Sequence, residues 1–315
     1  GGGPAGLACA LEAKKSGCHV TIVEKRETYA RLQWLFLSDT SLALLNKWGV
    51  NPPDLISADL GDGKRRGFVQ IKSLEESLDN QAKAMGIQKI YGEFIGFADG
   101  RRALITRSHA DPLSLDYDVI VGADGIHSAV RGALPIATTR MGTAVGASVI
   151  IPGESLTHQS IDISPTIRIG KGFLRRIRTP SASIIFAQFP KEASWKTLQR
   201  AIQAKGWGGE NEDELLILAD IDIVLQQATT FSDEKRSAIL VGDSAASASF
   251  YLGLGANTAF KCAEAAGRFF EEMQSNEDHG AAFQTFNCTV KQHTDEMIEM
   301  NAFLFESSKL KCSGS

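Results

Sequence analysis

The chain lacks the marks of several function classes. It has no apolar run of about eighteen residues, so no helical membrane span is expected. Its five cysteines, Cys9, Cys18, Cys262, Cys288 and Cys312, form no C-x-x-C pair and no cluster with histidine. That argues against a zinc site and a disulfide framework and for free thiols in a reducing compartment, so a cytoplasmic location is the expectation. Charge of one sign is not in excess: 33 Lys and Arg against 37 Asp and Glu leave a net charge of −4. There is thus no global attraction to nucleic acid or an anionic surface, and no nucleic-acid partner is expected. No Ser/His/Asp arrangement and no metal-binding constellation stands out, so no metal ligand and no catalytic side chain is assigned. No internal repeat is visible, and low complexity is confined to a short Ser/Gly tail. What is there is a globular composition: 315 residues, 43% hydrophobic and 22% charged, enough for one large or two medium domains.

The most informative stretch is the first, Gly1-Gly2-Gly3-Pro4-Ala5-Gly6, which reads G-x-G-x-x-G and runs into a helical pattern. In a dinucleotide site Gly1 allows the tight turn, Gly3 lets backbone approach a pyrophosphate, and Gly6 lets the helix pack close to the sheet. The helix N-terminus then offers free N–H groups and a positive dipole end to phosphates. Val20 to Val23 reads as the next parallel strand, and Glu24 at its end is placed to accept from ribose hydroxyls. A glycine turn with no ligand is the alternative reading, but here helix, strand and acid all follow in register. The motif is expected to follow a strand, the central one of its sheet, which would lie before Gly1.

Further along, residues 31–50 read as helix, with Leu35, Leu42, Leu44, Leu45 and Trp48 at helical spacing and Gly49 closing it. Residues 61–67 read as a solvated hairpin or loop. Phe68 to Ile71 reads as a strand, and Ser73 as the cap of a helix that ends at Gly86. Short strands follow to about Leu115. Tyr117 to Val121 is a buried strand entering Gly122-Ala123-Asp124-Gly125. Residues 144–188 alternate as an antiparallel sheet. Residues 194–205 and 213–219 look helical, 238–241 is a buried strand entering Gly242-Asp243, and 257–275 and 280–310 are two helices.

Three motifs in this order resemble the single-component (class A) flavoprotein monooxygenases of the para-hydroxybenzoate hydroxylase type. The opening turn with Glu24-Lys25-Arg26 looks like that family's E-x-R. Gly122-Ala123-Asp124-Gly125 with Ser128, Val130 and Arg131 is similar to G-A-D-G-x-x-S-x-V-R. Gly242-Asp243-Ser244-Ala245, then Gly253-Leu254-Gly255-Ala256-Asn257, looks like G-D-A-A-H … G-x-G-x-N. Arg31-Leu32-Gln33-Trp34-Leu35-Phe36-Leu37 is locally similar to the MICAL-type monooxygenases. The resemblance implies an α/β fold in which a Rossmann-like FAD-binding domain is interleaved with a mostly antiparallel substrate domain. The implied division is 1–137 and 229–275 for FAD, 138–228 for the inserted sheet, and 276–315 for a C-terminal helix and tail.

It also implies FAD and NAD(P)H as cofactors, with Gly1, Gly3, Pro4, Ala5, Gly6, Glu24, Lys25, Arg26, Arg31, Gln33, Asp124, Arg131, Asp243, Gly253, Gly255, Ala256 and Asn257 as binding residues. Asp243 would accept from the ribityl hydroxyls. The helix opening at Gly253 would turn its N–H groups to the flavin's pyrimidine edge. Arg131 would meet the nicotinamide cofactor's phosphates, with a structural arginine as the alternative. The implied reaction is NAD(P)H-driven monooxygenation by molecular oxygen through a flavin C4a-hydroperoxide, on a small molecule or a protein methionine. The chain departs from the family at Ala246, at Ser249-Phe250, at Cys262 and at Lys72. These departures keep open a flavin reductase or dehydrogenase that does not oxygenate, and an FAD-binding interaction module without catalysis. Cys262 reads as a buried inert thiol. Tyr251 and Phe250 are candidates for the pocket wall, and no W-x-W-x-I-P arrangement favours a flavin halogenase.

Overall fold

The computed structural model describes residues 1–59, 63–107, 110–151, 161–170, 172–179, 183–190, 195–207, 216–275 and 279–306. Helix α1 (Pro4–Lys15) starts directly on the glycine turn. Pro4 takes the first helical position, where a missing N–H costs nothing, and no side chain caps the helix. Strand β1 (Thr21–Glu24) follows. The expected helix over 31–50 is only partly realised. Trp34–Leu37 is a strand, β2, paired antiparallel with β4 (Arg65–Gln70), which also carries β3 (Ile56–Asp59). Helix α2 (Asp39–Trp48) begins only after Ser38, whose hydroxyl accepts from the Ser41 N–H at 3.3 Å. The Trp-Leu-Phe-Leu run is β-favouring, and its strand partner decides its state.

Helix α3 (Ile71–Ala84) starts two residues before Ser73, so Ser73 is no cap. The short strands β5 (Gln88–Tyr91), β6 (Glu93–Ala98), β7 (Arg102–Arg107), β8 (Ala110–Asp116) and β9 (Ile120–Gly122) precede helix α4 (Ala129–Ala133). In the expected hairpin over 61–67, residues 61–62 lie outside the described residues and 65–67 open β4. Then come β10 (Thr138–Ile151), β11 (Asp162–Ile163), β12 (Ile167–Ile169), β13 (Gly172–Arg178), β14 (Ser183–Phe189), helix α5 (Trp195–Gln203) and β15 (Leu216–Ala228). The last elements are β16 (Ser232–Asp233), β17 (Ala238–Leu240), β18 (Ala246–Ser247), α6 (Leu254–Ser275) and α7 (His279–Glu306).

The helix expected over 213–219 is overturned from Leu216 on, where β15 begins; residues 213–215 lie outside the described residues. The run Ala219-Asp220-Ile221-Asp222-Ile223 alternates with period two, and β10 supplies a partner along its whole length.

Two architectures share the chain. β1 pairs parallel with β5, and β9 pairs parallel with β17, which carries β16 on its other edge. The free edges of β1 and β9 border one cavity, and neither has a second strand partner among the described residues. The large antiparallel sheet runs β11-β13-β14-β10-β15-β18, with β12 also on β13. Its pleat sorts side chains to two faces. Ala147, Val149, Leu174, Ile185 and Ala187 pack against Ala201 and Ile202 of α5. Phe173, Ile177, Phe186 and Ile223 face Trp34, Phe68 and Tyr251. The helices of the first architecture are held together by buried polar contacts as well as apolar ones. Glu12 of α1 accepts from Trp48 Nε1 at 2.6 Å and Lys47 Nζ at 2.8 Å, and the Trp48 ring meets Phe260 of α6 edge-on at 5.2 Å.

Candidate functional site

A cavity of about 1600 Å³ runs from the glycine turn to the inner face of the large sheet. Its glycines fall into two kinds. Gly6 is required by the protein itself: a Cβ there would lie 1.9 Å from the Gly1 carbonyl oxygen. Gly3 is not. Its backbone is extended, at φ −78° and ψ −178°, and the nearest atom to a Cβ would be Arg31 Nη2 at 3.5 Å. At Gly255 no atom lies within 4 Å of such a Cβ. Both border the cavity. Glycines that neither packing nor dihedral angle demands are those a close-approaching ligand would need.

The turn is electrically prepared for a polyanion. α1 has no acid in its first turn and no side-chain cap, so its leading N–H groups carry the positive end of the helix dipole. Arg26 and Arg31 stand beside Gly3. Between them Glu75, fully buried, pairs with Arg31 and, at 3.5 Å, with Arg26. Glu24 accepts from the Gly2 N–H at 2.5 Å, the Arg26 N–H at 2.8 Å and Arg26 Nε at 3.1 Å. Burial pushes its carboxyl up, but the bonds from Arg26 and Gly2 outweigh that and hold it below the ordinary carboxylate range. Lys25 sits exposed at the rim, 3.6 Å from Glu93. Gln33 borders the cavity with its Oε1 buried and without a hydrogen bond among the described residues.

Asp243, in the turn Gly242–Ser244, is exposed, borders the cavity and has no protein hydrogen bond among the described residues. Enclosure by protein pushes its carboxyl up, and the Arg31 charge pulls partly against this. A carboxylate held without a donor in a deep cleft suits a ligand that brings hydroxyls.

Other expected residues have protein partners. Asp124 accepts from Ser128 Oγ at 2.5 Å and the Val130 N–H at 3.1 Å, so it caps α4 while bordering the cavity. Arg131 donates to the carbonyls of Ser244 and Ile126, and is not part of the cavity wall. Asn257 is likewise set back from the wall. Its Oδ1 accepts from the Ser38 N–H at 2.8 Å and Ser41 Oγ at 2.6 Å, and its Nδ2 donates to the carbonyls of Phe36 at 2.9 Å and Gly253 at 2.5 Å. It pins β2 and α2 to α6. Pro4, Ala5, Gly253 and Ala256 border the cavity.

At the sheet end the wall is aromatic. Phe36, Phe186, Phe250 and Tyr251 line it, with the Phe186 and Phe250 rings 6.2 Å apart. Ser249 caps the turn Phe250–Leu252 and donates to Gln188 of β14, fixing the aromatic pair against the sheet. Ala246 is buried in β18, and Lys72 lies outward, 3.9 Å from Glu76. Cys262 is 1% exposed, and burial pushes its thiol up to about 12, so it is inert. Sequence reasoning did not assign Glu75, Ser148 or Arg175 to the site. For Arg175 a signal existed: it shares its strand face with the apolar Phe173 and Ile177.

The first 30 residues match the family model of an NAD(P)-binding Rossmann-like domain. A comparison with curated proteins finds no match. Among solved structures, a 2-methyl-3-hydroxypyridine-5-carboxylic acid oxygenase is 18% identical with a TM-score of 0.74, over 100% of this chain and 92% of that one. OxyS anhydrotetracycline hydroxylase from Streptomyces rimosus is 17% identical with a TM-score of 0.74, over 96% of this chain and 67% of that one. The flavin-dependent brominase Bmp2 is 14% identical with a TM-score of 0.74, over 99% and 89%. These likenesses establish the fold: a Rossmann-like nucleotide-binding layer interleaved with an antiparallel sheet. The local likeness of residues 31–37 to MICAL-type enzymes finds no support in them.

Proposed function

We propose that the protein is an FAD-dependent monooxygenase that takes electrons from NAD(P)H and passes one atom of molecular oxygen to a small-molecule substrate. The observation that carries this reading is the single cavity shared by the glycine turn, the Asp243 turn, the start of α6 and the aromatic face of the large sheet. Solved structures with this fold include an oxygenase and a hydroxylase.

The residues fit the cofactor in kind and in place. The N-terminus of α1, with Arg26 and Arg31, would hold the pyrophosphate. Glu24 would meet the ribose, Asp243 the ribityl hydroxyls, and Gly255 and Ala256 the pyrimidine edge of the ring. Bound there, FAD would supply the redox chemistry, accepting a hydride and activating oxygen. The protein's part is to bind, orient and keep water from the reacting centre. Phe250 and Tyr251 do the last of these, walling the chamber with apolar surface. Arg131, through the Ser244 carbonyl, holds the Asp243 turn in place.

Residues 138–228 would carry substrate specificity and 1–137 and 229–275 would hold the cofactor; of 276–315 the described part, His279–Glu306, is helix α7. A protein methionine as substrate finds no support. Among the described residues no helix is long and apolar enough to cross a membrane, and no group of His, Cys, Asp and Glu could hold a metal ion. Free thiols at Cys9, Cys18, Cys262 and Cys288 fit the reducing cytoplasm.

The changes at Ala246, Ser249 and Phe250 favour a second reading, an FAD protein that does not oxygenate. One experiment separates the two. The purified protein is loaded with FAD, reduced with NADPH or NADH, and exposed to ¹⁸O₂ with candidate substrates. Label in the product supports the monooxygenase. Flavin reduction with no label in any product, or no reduction at all, rejects it.

A further inference from the structure

Helix α3 delivers an acid to the glycine-turn end of the cavity. Leu74 and Leu78 pack into the same core as Leu7 and Leu11 of α1. That packing carries Glu75, the residue after Leu74, into the interior, where its side chain is 0% exposed. Lys72, three residues earlier on the same helix, lies outward beside Glu76. So α3 brings this end of the cavity a carboxylate rather than a cation.

Glu75 Oε1 pairs with Arg31 Nη2 and, at 3.5 Å, with Arg26 Nη2. Its Oε2 is buried and has no hydrogen bond among the described residues. A Cβ built on Gly3 would stand 3.5 Å from Arg31 Nη2, 3.8 Å from Glu75 Oε1 and 4.0 Å from Arg26 Nη2. Two guanidinium groups therefore converge on one spot beside the start of α1, with one carboxylate oxygen paired to both. Arg26 and Arg31 belong to the cavity wall, and Glu75 lies behind it.

Two like charges brought to one spot repel. Side chains 35% and 43% exposed, as these arginines are, would otherwise swing apart into water. A shared counter-ion on the protein side holds them together. Arginine has five N–H donors, and Glu75 engages one nitrogen of each fork, so donors remain for a ligand. The acid also takes one unit of positive charge from the seat, which works against an anion. The ordering effect wins if the ligand meets two forks already in place, because their ordering then costs nothing on binding.

We infer that Glu75 is a positioning residue for the cofactor's diphosphate: from behind the cavity wall it holds the Arg26 and Arg31 forks converged beside Gly3. This rests on the reading that the cavity binds FAD. Asp79, one turn further along α3, supplies an internal control. It too is buried, but it pairs with lysines, Lys83 at 2.8 Å and Lys89.

The test is a double-mutant cycle on FAD affinity, read by flavin fluorescence, with melting of the flavin-free proteins beside it. Glu75→Gln keeps the shape and removes the charge. It should weaken FAD about ten-fold, the scale of a charge-assisted contact. On an Arg31→Met background the same change should cost about three-fold or less, because one of the two forks it positions is gone. Asp79→Asn should lower the melting point yet leave FAD affinity within about two-fold of wild type, since it shares no partner with Glu75. Where Glu75→Gln fails to fold, Glu75→Asp, with its charge one methylene short, should lose FAD affinity in the same way and show the same dependence on Arg31. The inference is overturned if Glu75→Gln binds FAD as well as wild type or more tightly. An equal loss on the Arg31→Met background, or in Asp79→Asn, also overturns it. A wild type that binds no FAD rejects the parent reading instead.

Discussion

Arg131 Nη1 donates to the Ser244 carbonyl at 2.6 Å, one residue past Asp243. Through Nη2 the same guanidinium holds the Ile126 carbonyl at 2.7 Å, so one side chain clips two motif loops together. Arg131→Met should therefore loosen the Asp243 turn. We expect a loss of about 1–2 kcal/mol in stability, allowing for the partial exposure of the group. FAD should bind more weakly, with little change in KM for the nicotinamide. Thermal melting and flavin titration check the first two, and steady-state kinetics the third. A selective rise in KM with unchanged melting would return Arg131 to a phosphate-binding role.

Asp243 links pH to stability. Its side chain is accessible from the cavity, yet the protein packed around it raises its carboxyl above the ordinary value in the folded state, with the Arg31 charge pulling partly against this. Between the unfolded and folded pKa values the native state holds the extra proton, so the full stability is present below the unfolded pKa. It is lost as pH rises through the folded pKa. Without flavin, Asp243→Asn should thus melt higher than wild type at neutral pH, and the gap should close in acid. Asp243→Ala should bind FAD roughly ten-fold more weakly, through the lost acceptor. Melting curves of the flavin-free proteins across pH, with flavin titrations, give both results.

The two kinds of glycine separate fold from ligand. Gly255→Ala meets no protein atom and replaces glycine in a helix, so flavin-free stability should hold or rise by up to about 1 kcal/mol. FAD affinity should fall. Gly6→Ala, which would drive a Cβ onto the Gly1 carbonyl, should lower both. Comparing the melting points with and without FAD distinguishes the pair.

The thiols divide by burial. Cys9 and Cys262 are pushed up to about 12 and should resist alkylation in the native protein, whereas exposed Cys288 should react. Mass spectrometry after brief treatment with iodoacetamide gives the pattern.

How much could be read before the fold was known follows the range of the interactions. The glycine turn, α1, β1 and Glu24 are contiguous and local, and their order is visible as motif. Strands β10, β13 and β14 are visible as short apolar runs rich in Val, Ile and Phe, because one face of each is buried on α5 and the other on the aromatic cluster. β2 and the first residues of β15 read as helix because short apolar runs carry little period, and their state is set by β4 and β10, distant in sequence. Glu75 shows the same limit: it sits on an ordinary helix face, and only the fold brings Arg26 and Arg31 to it. Asn257 and Arg131 were legible as motif residues, but their bonds to Ser41 and Ser244 depend on chain segments more than a hundred residues apart in sequence.

The central claim, that one cavity grips a single extended flavin nucleotide, is tested most directly by titrating the purified protein with FAD while following flavin absorbance and fluorescence. The account predicts saturable, equimolar binding that Asp243→Ala and Gly255→Ala both weaken. A protein that never retains FAD, or that binds it equally well with both residues changed, would contradict it.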